Sequence, residues 1–248
     1  MTIETEQDLN ALREVGRIVA TTLKHMLARV EPGMTTLELD HIGRDLLAQE
    51  GAQSAPQVTY DFPDYTCISI NEEAAHGIPG ARVIQAGDVV NIDVSADKNG
   101  YFADTGGTCI VPPGNPVKEK LLRATRQALK DAANAARADQ PINGIGRAIQ
   151  KVARKTGFKT IKNLSGHGVG RGLHEAPREI HNYFEPRDRR LLREGMVLAV
   201  EPFLSTRARW VDELDDGWTL AAPPGNFSAQ FEHTLVVTRG RPILLTVA

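Results

Sequence analysis

The stretch that most constrains this chain is residues 88–105, DVVNIDVSADKNGYFADT. Val90, Ile92 and Val94 alternate with Val89, Asn91 and Asp93, the period of two expected of a strand with one face in a core. Asp97-Lys98-Asn99-Gly100 predicts a tight hairpin turn, because Asn and Gly tolerate positive φ. Tyr101 to Val111 then reads as the returning strand. An even-numbered loop puts Asp93 and Asp104 on the same face, opposite or nearly so. Cross-strand Cβ atoms lie roughly 4.5–5.5 Å apart, and two buried carboxylates that close repel strongly. Either a divalent cation neutralises them, or they are solvated on an open sheet face. On the hairpin alone both readings stand.

The rest of the chain frames this hairpin. Leu9, Leu12, Val15, Val19, Leu23, Met26 and Val30 recur every three or four positions and predict an amphipathic helix over about 6–28, stopped by Pro32-Gly33. Thr35 with Glu38 is a capping-box signature that opens a second helix running to about Gly51, with Leu37, Leu46 and Leu47 as its buried contacts. Residues 53–64 read as a polar, proline-punctuated loop, and 66–71 as a strand. Beyond Pro112, Pro113, Gly114 and Pro116, helices are expected over about 117–136 and from about Asn143 to near Gly157. This order of elements echoes the first part of the chain, and Ile42-Gly43-Arg44 matches Ile145-Gly146-Arg147. The repeat predicts one domain of two related halves, about 1–113 and 114–248, with a site between them that draws ligands from both.

Composition matters here for what it excludes. A net charge of −2 provides no global basic field for nucleic acid or an anionic membrane. Arg187, Arg189, Arg190 and Arg193 are interleaved with Glu185, Asp188 and Glu194, as on a solvated face. No basic segment precedes an apolar run at the N-terminus, and no stretch approaches the ~18 apolar residues that cross a bilayer. Cys67 and Cys109 are too few for a disulfide framework. A cytoplasmic location is expected.

The second half supplies further polar residues. Gly166-His167-Gly168-Val169-Gly170-Arg171-Gly172-Leu173-His174 places His167, His174 and His181 seven apart, but its glycines exclude a helix, so the spacing is not a helical face. The glycines do not form GxGxxG either, and are better read as close backbone approach to a strand or ligand. Glu201 ends the apolar run at 196–200, where an unpaired carboxylate costs several kcal/mol. A strand over 228–238 puts Glu232, Thr234 and Val236 on one face and Phe231, His233 and Leu235 on the other. His233 then points away from Glu232, and His181 is background. Two Asp, two Glu and one or two His lack the thiolates or multiple histidines of a structural zinc site. Such a set favours Mn²⁺, Fe²⁺ or Co²⁺, with Zn²⁺ admitted. Bridging carboxylates can hold two ions about 3.5–4 Å apart, the arrangement of a dinuclear metal hydrolase.

Taken together, Asn91-Ile92-Asp93-Val94, Ala103-Asp104-Thr105, Gly166-His167-Gly168-Val169-Gly170, Val200-Glu201-Pro202 and Gln230-Phe231-Glu232-His233-Thr234 resemble the type I methionine aminopeptidases. Cys67-Ile68-Ser69-Ile70-Asn71-Glu72, leading to His76-Gly77-Ile78-Pro79, belongs to the same pattern, which spans essentially the whole chain in order. The resemblance implies an α/β (α+β) pita-bread fold, two pseudo-symmetric halves with an antiparallel sheet flanked by helices. It further implies that Asp104 and Glu232 bridge two divalent ions (Co, Mn, Fe, Zn or Ni), that His167 and Glu201 complete the tighter site, and that Asp93 chelates the second ion. Glu201 is the implied proton shuttle, and His76 and His174 the implied contacts to substrate and tetrahedral intermediate. Phe62, Cys67 and Trp218 match side-chain-pocket positions. The implied reaction is removal of the initiator methionine from new polypeptides when the second residue is small, by a monomer, with the ribosome a candidate docking partner and no membrane or specific nucleic acid. The chain departs from the family at Leu173, where an aromatic is usual, and in the loop 58–65. It also lacks a zinc-binding N-terminal extension and the large helical insertion of type II enzymes. Rival expectations are a peptidase of the same fold specific for a residue before proline, and a non-catalytic binding module, which would lack ligands.

Overall fold

The computed structural model describes all 248 residues, Met1–Ala248. The first half runs α1 (Glu6–Arg29), α2 (Thr36–Gln49), β1 (Gln53–Ser54), α3 (Ala55–Tyr60), β2 (Cys67–Ile70), β3 (Glu73–Ala75), β4 (Val89–Lys98) and β5 (Tyr101–Ile110). The α2 capping box is present: the Thr35 hydroxyl accepts from the Glu38 amide, and the Glu38 carboxylate accepts from the Thr35 amide at 2.7 Å. Leu47 is buried as expected, but Leu37 is 36% exposed and Leu46 only half-buried. The buried face of α2 instead follows Thr36, Leu39, Asp40, Gly43 and Leu47. Three- and four-residue spacing from Leu47 leads to Leu39 and leaves Leu37 on the solvent side. The expected loop at 53–64 also contains structure: a short strand, then α3, capped by Ser54 with proline in its first turn.

The hairpin turns on Asn99 (φ 55°) and Gly100 (φ 75°), with Lys98 paired to Tyr101. Two residues of positive φ make the turn whose twist suits adjoining strands. The register pairs Asp93 with Gly106 and Ser95 with Asp104, so the two aspartates are diagonal neighbours on one face. β4 is central, flanked by β5 on one side and by β1 and β2 on the other. Leu12, Val15, Ile18 and Val19 of α1 share a core with Ile92 and Val94 of β4. Burying each such side chain contributes about 1.5–3 kcal/mol, so the opposite face of β4 is left free for polar work.

The second half runs α4 (Pro116–Ala135), α5 (Asn143–Thr156), β6 (Lys159–Thr160), β7 (Ser165–Gly168), β8 (Glu175–His181), β9 (Val197–Val200), β10 (Phe203–Ser205), β11 (Asp212–Glu213), β12 (Leu220–Ala221), β13 (Ser228–Gln230), β14 (His233–Val236) and β15 (Ile243–Leu244). Sheet order is β15-β14-β9-β7-β8, with β13-β10-β6 and β11-β12-β3 alongside. Leu121 and Ala128 of α4 and Ile145 and Ile149 of α5 pack with Leu198, Leu204 and Leu235 of these strands. The single strand expected over 228–238 is two, β13 and β14, in different sheets. β9 and β10 are interrupted in the same way at Glu201-Pro202. His233 pairs with Val200 and Gln230 with Phe203, so one register runs through both interruptions and sets Glu201 opposite Glu232. Pro202 has no amide hydrogen to donate to a ladder, which suits it to the break.

Candidate metal centre

Asp93 and Asp104 come from the hairpin, His167 from β7, and Glu201 and Glu232 from the paired interruptions. One ligand atom from each of Asp104, His167 and Glu232 lies within 4.8 Å of the others. His167 Nε2 is 3.5 Å from Glu201 Oε1 and 3.8 Å from Asp104 Oδ2. Asp93, Asp104, His167 and Glu201 line the floor of a cavity of about 450 Å³. Glu232 lies just beneath, 2% exposed. Gly166 and Gly168 bring β7 close to its neighbours: a Cβ on either would lie 2.5 Å from the Ala199 carbonyl or 2.4 Å from that of Ala176.

The electrostatics of this floor are unusual. Burial and then the neighbouring carboxylates push Asp93, Glu201 and Glu232 well above the usual carboxylate range, although the Gln230 amide works the other way on both glutamates. Burial raises Asp104 to about 6. His167 is lowered to about 3 by burial, reinforced by His174 and His76. Its Nδ1 is 3.0 Å from the Gly168 carbonyl, which can only accept, so Nδ1 carries the hydrogen and the Nε2 lone pair faces the carboxylates. Asp104 Oδ1 and Glu232 Oε1 are buried without any hydrogen-bond partner. Oxygen and imidazole acceptors thus converge where almost no donor is available, and orphaned buried oxygens are costly. This donor set fits a hard or intermediate divalent cation.

A second layer of polar residues holds the ligands. Thr234 Oγ1 donates to the Asp104 carbonyl (2.7 Å) and accepts from its amide (2.9 Å). Thr105 Oγ1 donates to the Glu232 carbonyl at 3.0 Å, and the Glu232 amide donates to that of Gly106 at 2.9 Å. Gln230 Nε2 donates to Glu232 Oε2 (2.9 Å) and Asp93 Oδ2 (3.4 Å). These bonds stitch β5 to β13 and β14 across the seam between the halves. The sequence reading missed these supporting roles. Its available signal was the run of polar residues, Asn91, Thr105 and Thr108, at strand positions that become fully buried.

Above the floor, the predicted pocket residues Phe62, Cys67, His76, His174 and Trp218 all line the same cavity, with Leu173. Phe62 and Trp218 meet edge-on, centroids 5.1 Å apart. Cys67 pairs with Asp93 across β2 and β4. His174 lies 4.1 Å from His167 between ring centroids, and burial lowers it to about 4. Its Nδ1 is 2.8 Å from the Tyr60 hydroxyl, a cavity residue the sequence reading left inside a loop. Buried Asp40 on α2 was also missed; it accepts from the Thr66 amide and hydroxyl, each at 2.7 Å, and anchors the segment leading into Cys67. His233 is bound to Thr246 Oγ1 at 2.9 Å and His181 stacks on Tyr183, both apart from the ligand cluster.

The fold and an acceptor-rich cluster beneath a cavity that Phe62, Leu173 and Trp218 share with Tyr60, His76, His174 and Arg178 are those expected of a metal-dependent hydrolase. This chain belongs to metallopeptidase family M24, whose model matches residues 10–239. It is 47% identical over 247 residues to a methionine aminopeptidase of Staphylococcus epidermidis, covering 99% of this chain and 98% of that one. The crystal structure of a methionine aminopeptidase from Thermotoga maritima superposes with a TM-score of 0.95 at 32% identity, covering 100% of both chains. A prolidase from Pyrococcus furiosus shares the fold (TM-score 0.80, 23% identity), with all of this chain matching 66% of that one. The expected pita-bread fold is therefore present. No helix is long and apolar enough to cross a membrane.

Proposed function

We propose that this chain is a methionine aminopeptidase that removes the initiator methionine from new polypeptides when the second residue is small. The observation that carries this reading is the convergence of Asp104, His167, Glu232, Glu201 and Asp93 under a cavity walled by Phe62, Trp218, Cys67 and Leu173. An unbranched thioether suits such a wall. Asp104 and Glu232 would be shared by two divalent ions, with His167 and Glu201 completing the tighter site and Asp93 the second. Bound there, the ions supply Lewis acidity and a nucleophilic water at neutral pH.

The chain's own groups do the rest. Glu201, held above the usual carboxylate range by burial, is suited to take a proton from the nucleophile and return it to the departing amine. Burial raises the Tyr60 phenol, so it stays protonated and can donate to His174 Nδ1. That leaves the His174 Nε2 hydrogen free to donate to the oxyanion. His76, held neutral by burial, lines the same wall and contacts the substrate. The chain acts as one catalytic unit in which both halves, about 1–113 and 114–248, contribute ligands. We place it in the cytoplasm as a monomer, acting on the N-termini of newly made proteins, free or at the ribosome.

The test is methionine release from peptides beginning Met-Gly, Met-Ala and Met-Leu, with chelator-treated protein as control. Release from the first two alone, lost on chelation, is the expected outcome. Cleavage of Xaa-Pro peptides in their place would overturn the proposal.

A further inference from the structure

Gln230 is fully buried and sits at the hub of the ligand cluster. Its Oε1 accepts from Asn91 Nδ2 at 2.9 Å, which fixes the amide so that its NH₂ group faces the carboxylates. One donor reaches Glu232 Oε2 at 2.9 Å and the other Asp93 Oδ2 at 3.4 Å. No other hydrogen-bond donor reaches either carboxylate. Thr108 Oγ1 clamps the Gln230 backbone, donating to its carbonyl at 2.7 Å and accepting from its amide at 3.0 Å. To reach Asp93 the side chain crosses β5 at Gly106, the residue paired with Asp93. A Cβ on Gly106 would lie 2.0 Å from Gln230 Oε1. The crossing therefore requires glycine.

We infer that Gln230 is a positioning residue that presets Asp93 against Glu232 and so controls affinity for the second of the two divalent ions, with Gly106 as the opening that admits it. Two like-charged carboxylates without this amide would splay, and incoming cations would have to reorder them. Gln230 touches the tighter site through the shared Glu232 and through Glu201, but Thr234 holds the Asp104 backbone and the Gly168 carbonyl fixes His167 without it, whereas Asp93, which serves the second ion alone, has no other donor. Loss of Gln230 should therefore fall mainly on the weaker site. This inference rests on the two-ion metallopeptidase reading.

Isothermal titration of chelator-stripped protein with Mn²⁺ tests it without any activity measurement. The wild type should bind in a tight and a weaker step. Gln230→Met, which keeps most of the volume and loses the donors, should weaken the second step about 10- to 100-fold, the range typical of losing a residue that orients a metal ligand. The tight step should weaken by clearly less than the second, since only the shared Glu232 and Glu201 feel the loss there. Gly106→Ala should do the same by displacing Gln230. In a Gln230→Ala background, where the space is open, Gly106→Ala should add nothing. Circular dichroism checks that each variant folds, and Gly106→Ala approaches the same point without altering Gln230. A single step in the wild type, equal weakening of both steps, an unchanged second step or full additivity would each overturn the inference. A wild type that binds no Mn²⁺ would overturn the metallopeptidase reading itself.

Discussion

At the scale of residues, Asp93 and Asp104 look equivalent in the hairpin and are made unequal by what the second half brings to them. Asp104 lies within 4.8 Å of both His167 and Glu232 at their ligand atoms, and Oδ1 is orphaned. Asp93 receives its hydrogen bond from Gln230 and stands beside Cys67 at the cavity floor. Asp104→Asn should therefore weaken all Mn²⁺ binding by more than about 100-fold, beyond the 10- to 100-fold typical of losing a supporting residue. Asp93→Asn should retain one binding step. Titration calorimetry on the two variants reads this directly, and equal losses would reject the division of roles. The sequence singled out Asp93, Asp104, His167, Glu201 and Glu232 as candidates through the motifs they sit in, and the structure brings all five to one place. Gln230 and Thr234 were not legible as supports, since Asp93 and Asn91 lie 137 and 139 residues from Gln230 and Asp104 lies 130 from Thr234, and only the packed seam brings them together.

Among the elements, local chemistry was decisive wherever it was self-contained. Asn99-Gly100 specifies its turn without help from the rest of the chain, and Thr35 with Glu38 starts α2 where expected. Thr35→Ala should cost about 1 kcal/mol. That lowers the thermal midpoint by about 2–4 °C for a chain of this size, measured by calorimetry. Catalytic turnover should be unchanged, because the Thr35 hydroxyl bonds only to Glu38 and neither residue lines the cavity, and a fall in metal content would contradict this. Where an element depends on a remote partner the reading fell short. The run 228–238 alternates like one strand, yet it changes sheets at Phe231-Glu232 because β9 and β10 break opposite it. Leu37 is apolar and still exposed, because helical phase against the core outranks its hydrophobicity.

Across the whole molecule, folding drives three buried carboxylates, the half-buried Asp93 and an imidazole into one cluster, and metal binding should relieve it in a pH-dependent way. Without metal, Asp104 has its pKa raised from 3.8 to about 6, so its contribution to stability is full below pH 4 and lost as pH rises through 6. Asp93, Glu201 and Glu232 share that sign and extend it upward. His167 and His174, lowered to about 3 and about 4, have the opposite sign: their contribution is present above 6.5 and lost on acidification. Cations bind the deprotonated carboxylates and the neutral His167, so affinity should climb with pH. The gap in thermal midpoint between Mn²⁺-loaded and chelator-stripped protein should widen from pH 5 to pH 7.5, reaching the equivalent of about 2.7 kcal/mol where free Mn²⁺ is 100 times its Kd. A constant gap would contradict the cluster's titration.

Sequence alone placed the four long helices and the hairpin, because apolar periodicity, a capping box and an Asn-Gly turn are local chemical facts, and it named the candidate ligands through the family resemblance. Only the tertiary structure decided how those ligands are held. The seam from Asp104 to Thr234, the opening at Gly106 and the facing of Glu201 with Glu232 arise from contacts between distant segments. Burial there removes the water that would otherwise satisfy each carboxylate, and turns separate motifs into one cation-binding cluster.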